Sequence, residues 1–244
     1  MLFRSAAQLL NKDRTDLYRS IDRVFFLSMA LAVPAALALV ILAEPIVSVL
    51  FERGAFGSAD RIGTAMALAG FVVGLPFAAI GRVQTQLYFA HERIRVPLFA
   101  VLFSNLLIVG CLHLSLFSHS LFVWALAFSL GQLALCVVQH LGLTSLTGWT
   151  PDPVFRMKLY KILAASGLMG FALLFLNDHY GAALLADRGG VWRWAGLTAF
   201  CATGLGIYAA AIYFFWIMAA VSLRCSVIRL LRSRFAVVIS GSID

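Results

Sequence analysis

Apolar residues fall into six long runs, and most charged residues sit in the gaps between them. The runs extend from about Val24 to Leu50, Ile62 to Phe89, Pro97 to Phe117, Leu121 to Leu146, Lys158 to Leu176 and Val191 to Val221. Each approaches or exceeds the ~20 residues that an α-helix needs to cross a hydrocarbon layer of ~30 Å. Backbone groups in lipid must find partners within their own segment, which predicts helices. Barrel strands of about ten alternating residues do not fit such uninterrupted runs. The predicted fold is therefore all-α, a polytopic bundle of six membrane helices. Ahead of them, "MLFRSAAQLLNKDRTDLYRSIDR" is too polar to span. Leu9, Leu10, Leu17, Tyr18 and Ile21 recur there at helical spacing, which predicts an amphipathic helix at the cytoplasmic interface. It lacks the apolar core and small-residue cleavage site of a signal peptide. The organisation expected is a linker over 1–23, four helices over 24–146, a closing helix pair over 147–221 and a basic tail over 222–244.

Composition strengthens this picture. The chain of 244 residues is 62% hydrophobic and 12% charged, against about 45–50% apolar and about 25% charged in soluble domains. A soluble core of this size could not hide so much apolar surface. The net charge of +8 reads as loop charge facing anionic lipid, and no nucleic-acid partner is expected. Of the nineteen Lys and Arg residues, fourteen precede the first run, follow the sixth, or lie in the second and fourth gaps or the first turn of the fifth run. Four, Arg53, Arg61, Arg188 and Arg193, fall on the other side, and Arg82 lies within the second run. This asymmetry predicts both termini in the cytoplasm, with "LFERGAFGSADRIG" (50–63) facing outward as a turn between two crossings.

Little in the chain points to covalent chemistry. There is no nucleophile elbow, phosphate-binding Gly loop, zinc-protease motif or useful carboxylate pair. No catalytic residue, metal or cofactor is expected, and an enzyme reading is set aside. Cys111, Cys136, Cys201 and Cys225 have no metal-ligand spacing and read as packing residues. Asp178, His179 and Asp187 are the residue types of a metal site, but Asp and His neighbours share one ligand sphere poorly. Polar residues inside the runs say more. Arg82 lies about 10 Å from the end of its run, and a charge at that depth faces either a wet cavity or, by snorkelling, the headgroups. Gln86 follows at i+4 on the same face, with Thr85 at i+3. Asn105, Ser129, Gln132 and Gln139 are further candidates, as substrate contacts or as hydrogen-bonded packing between helices. The candidates for a substrate cavity are Arg82, Gln86, Asn105 and Gln132. Pro34 and Pro76 are expected to interrupt their runs, and Glu44 with Pro45 to cap or kink the first.

"AEPIVSVLFERGAF" resembles the signature of the MviN/MurJ family of lipid II flippases, within the multidrug/oligosaccharidyl-lipid/polysaccharide exporter superfamily. "GLPFAAIGRVQTQLYFAHERIRVP" is similar to the family's tenth helix, and "MLFRSAAQLL" to the end of its eighth. The family has fourteen helices, so the resemblance implies a C-terminal portion with six. It implies an inner-membrane protein whose substrate is lipid II, an undecaprenyl-pyrophosphate-linked peptidoglycan precursor. Partners would be membrane lipids and a missing N-terminal half. The family's pyrophosphate-binding arginines lie mainly in helices upstream of Met1, so none carries over, and this portion is expected to be inactive alone. Arg82 takes a basic position of the matching helix. Other readings are an exporter of drugs or O-antigen-type lipid-linked sugars, or a non-transporting membrane scaffold. "ERGAF" is expected to be a structural turn, with Gly54 and Gly57 giving it tight geometry.

Overall fold

A computed structural model describes residues 2–52, 54, 56–114, 120–148, 153–185 and 192–214. Among the described residues the structure is helical, with no strand. The elements are α1 (Leu2–Ile41), α2 (Ala43–Phe51), α3 (Ser58–Val72), α4 (Leu75–Ala90), α5 (Arg95–Leu114), α6 (Leu121–Thr147) and α7 (Pro153–Leu185), followed by α8 (Trp192–Phe214). Six segments are long and apolar enough to cross a membrane, α3 and α4 together forming one of them. The all-α membrane bundle expected from the hydrophobic runs is therefore observed. The N-terminal segment is helical too, and α1 passes through residue 24 without a break. Arg53, Asp187, Arg188, Cys225 and the tail 222–244 lie outside the described residues.

Three prolines have two different outcomes. Pro76 removes a backbone donor, and the helix breaks just before it. The Gly74 N–H turns to the Phe71 carbonyl at 3.2 Å, which leaves the Gly70 carbonyl without its helical donor. Ser129 on α6 donates its hydroxyl to Gly70 O at 2.6 Å and to Phe71 O at 3.2 Å. Close approach makes this reach feasible: a Cβ on Gly74 would lie 2.9 Å from the Ser129 Cα, and one on Gly70 2.7 Å from the Ala125 Cβ. Pro45 acts similarly, and the first run breaks at Leu42, with Glu44 in the first turn of α2. Pro34, expected to interrupt α1, lies inside an unbroken helix. The physical reason comes from α8. Pro34 cannot donate to the Ala30 carbonyl, and the Tyr208 hydroxyl donates to it at 2.6 Å instead.

Helix α6 packs against α3 and α4 on one side and α5 on the other. On the α5 side, Ser104 donates to the Gly131 carbonyl at 2.7 Å. Helix α1 packs against α4 and α7. One apolar cluster joins Leu42 to Ala165, Met169 and Leu173 of α7 and to Phe200 and Tyr208 of α8. A second gathers Ile21, Phe25, Tyr88 and Leu143 near the opposite end.

The charged turn between α2 and α3 is a salt-bridged staple. Arg61 reaches Glu52 at 3.1 Å and Glu44 at 3.4 Å, while Arg193, at the start of α8, meets Glu52 at 3.0 Å. Arg193 also donates to the Ser48 hydroxyl at 2.6 Å, and Ser48 itself bonds Glu52. The Ser48 hydroxyl first, then the Arg193 and Arg61 guanidiniums, hold the Glu52 carboxyl below its ordinary value, against an opposing contribution from burial. Gly54 takes a positive φ of 62°, as the turn reading expects. Gly57 does not share that role: it is extended, and its N–H bonds the Asp60 carboxylate at 3.0 Å.

Candidate functional site

Helix α4 carries "GRVQTQLY" (81–88), and its 3.6-residue period divides this stretch between two faces. Gly81, Gln84 and Tyr88 turn inward and are buried. Arg82 and Gln86, one turn apart, turn outward and are exposed, and Thr85 is half-buried between the faces. The inward face is fixed by polar bonds to α6. The Tyr88 hydroxyl donates to the Gln139 carbonyl at 2.7 Å. The buried Gln139 amide donates to the Thr85 hydroxyl at 2.9 Å, and Thr85 donates to the Gly81 carbonyl at 2.9 Å. Gly81 leaves room for Leu135, whose Cδ2 would lie 2.7 Å from a Cβ there.

With α4 held this way, its outward face forms one wall of a cleft of ≈ 670 Å³ between α3, α4 and α6. That volume suits a small-molecule or headgroup site. Arg82, Thr85, Gln86 and Gln132 supply its polar groups. Phe71, Phe89 and Phe128 also line it, with Phe71 and Phe128 edge to face at 5.4 Å between ring centroids. Arg82 is the one charged side chain among the lining residues. It makes no hydrogen bond or ion pair with another described residue, so its donors are open to the cleft.

Three of the four candidates named from the sequence, Arg82, Gln86 and Gln132, thus meet in one cleft. Asn105 does not join them. It is exposed on α5, next to the buried Ser104 that ties α5 to α6. Ser129 and Gln139 bond across helices, the packing alternative weighed for them. Sequence reasoning passed over the phenylalanine walls. It also passed over Gln84, fully buried, whose amide has no partner among the described residues. The signal for Gln84 was present, since it lies at i+3 from Gly81 and i−4 from Tyr88, on the packed face. Asp178 and His179 are exposed, and Asp187 lies outside the described residues. No group of three metal-ligating side chains occurs among the described residues.

Comparison with known proteins adds to this geometry. The family profile described as lipid II flippase MurJ matches residues 2–185. A probable lipid II flippase MurJ of Thermotoga maritima is 28% identical over 179 residues, covering 72% of this chain and 35% of the relative. One from Bdellovibrio bacteriovorus is 32% identical over 175 residues, covering 68% and 32%. A solved structure, lipid II flippase MurJ in an inward closed conformation, superposes with a TM-score of 0.69 at 20% identity. It covers 86% of this chain and 41% of the solved one, a likeness of fold. The chain spans about a third of the length of these curated relatives.

Proposed function

The chain belongs to the lipid II flippase MurJ family, and from that premise we propose that it forms the C-terminal part of a flippase that carries lipid II across the inner membrane. The observation carrying this reading is the convergence of Arg82, Gln86 and Gln132 on one open cleft at membrane depth. An exposed arginine there is costly in lipid and calls for water, a partner helix or an anionic ligand beside it.

The mechanism proposed is alternating access. An unshielded pyrophosphate crossing hydrocarbon would face a Born cost of tens of kcal/mol. A wet, polar cavity removes most of that cost for the headgroup while the polyprenyl tail stays in lipid. This chain supplies one wall of that cavity through Arg82, Gln86 and Gln132. Asn105, exposed on α5 outside that cleft, has no part in this wall. The opposite wall comes from helices matching the part of its relatives that the chain does not span. No covalent step is involved. The Lys and Arg asymmetry supports an orientation with both termini in the cytoplasm and the Glu52 turn outside.

Complementation tests this reading. In bacteria depleted of their own lipid II flippase, the chain alone is expected to leave growth unrescued. Co-expression with the N-terminal helices of a relative is expected to restore it, and Arg82→Gln to weaken the rescue. Full rescue by the chain alone would overturn the proposed division of labour.

A further inference from the structure

Lipid II makes two unlike chemical demands on a protein. Its pyrophosphate concentrates negative charge and calls for several cations or a run of free N–H donors. Its acylated amino sugars and short peptide call for neutral partners that both donate and accept, and for flat apolar faces.

The cleft answers the second demand. It holds one guanidinium, from Arg82, against three neutral polar side chains, Thr85, Gln86 and Gln132. Each glutamine offers both an N–H donor and a carbonyl acceptor, the complement of an amide. Phe71, Phe89 and Phe128 supply ring faces and edges suited to the C–H face of a sugar. The start of α4, beside the cleft, presents no unbroken run of free N–H donors: Pro76 has no N–H, the Gly74 N–H is taken by the Phe71 carbonyl, and the Ala78 N–H by the Gly74 carbonyl. The nearby Gly70 and Phe71 carbonyls are held by the Ser129 hydroxyl.

Resting on the flippase reading above, we propose that this cleft is the sugar–peptide subsite for the headgroup. Gln86 and Gln132 bond the acetamido and peptide amides. The phenylalanines carry a sugar face, and Arg82 donates to a carbonyl or carboxylate of the peptide. The pyrophosphate is met outside this cleft.

Saturation-transfer NMR on the 244-residue chain in neutral detergent suits the weak binding of small probes. N-acetylmuramoyl dipeptide, which has no phosphate, is expected to receive saturation at its acetamido and ring protons. Gln86→Ala and Gln132→Ala are each expected to weaken it about fivefold, the loss of one net hydrogen bond. Unchanged melting temperatures would show that these variants are folded. Inorganic pyrophosphate, followed by its phosphorus line width, is expected not to bind. If pyrophosphate binds and Arg82→Gln abolishes it, while the muramoyl dipeptide shows no saturation, the subsite assignment falls and the flippase reading stands. If neither probe binds, the subsite assignment falls, and the flippase reading is judged by the complementation above.

Discussion

A carbonyl that loses its helical donor inside a bilayer has no water to turn to. At the α3–α4 break, Ser129 supplies the missing donor, and two glycines let its helix come near enough to do so. Ser129→Ala is expected to lower stability by about 1 kcal/mol, as for hydrogen bonds between membrane helices. Gly74→Val should cost more, about 1–3 kcal/mol, because its side chain would meet the α6 backbone instead of a movable tip. Unfolding in mixed micelles measures both. At the opposite extreme of polarity stands Glu52. Its partners favour the charged form, so its contribution is complete above its ordinary value of 4.5 and is lost as the pH falls through the lower folded value. Melting curves between pH 6 and 3 should therefore show a decline for the native chain that is shallower in Glu52→Gln.

Among the elements, α1 and α8 show why local sequence misplaces a helix break. Pro34 and Pro76 look alike in sequence, each inside an apolar run. Their fates differ: at Pro34, Tyr208, distant in the chain, caps the one orphaned carbonyl of an unbroken helix, while at Pro76, Ser129 caps the carbonyls of an opened turn. Tyr208→Phe should cost about 1 kcal/mol in the native background. With Pro34→Ala that cost should shrink, because residue 34 then donates to Ala30 O. A double-mutant cycle reads the coupling, and strict additivity would show that the hydroxyl does not serve the proline. The same limit applies to the staple at the turn between α2 and α3. The charges of "LFERGAFGSADRIG" mark a turn between crossings, but nothing local names Arg193 as the partner that binds the turn to α8. The runs themselves were legible because each element answers to a local need, the self-satisfied backbone of a segment in lipid.

For the whole molecule, the cleft was half legible. Arg82 and Gln86 could be paired from the i, i+4 spacing of one helix. Gln132 could be chosen by type, but not set apart from Gln139, which looks equivalent in sequence and is spent on Thr85. Only the packing of α6 against α4 separates the two. The phenylalanine walls were hidden because an apolar residue in an apolar run carries no mark of which face it takes. The family match extends over most of the chain but about a third of its relatives' length, and the proposal above assigns the counterpart of this wall to helices that the chain does not span. The central claim is that this wall faces lipid II. Photocrosslinking in cells tests it most directly, with a photoreactive residue placed in turn at positions 86, 132 and 102, in the chain co-expressed with the N-terminal helices of a relative. Radiolabelled lipid II is expected to attach from 86 and 132 and not from 102, an exposed leucine of α5 outside the cleft. Attachment from 102 alone, or equal attachment from all three, would contradict the account.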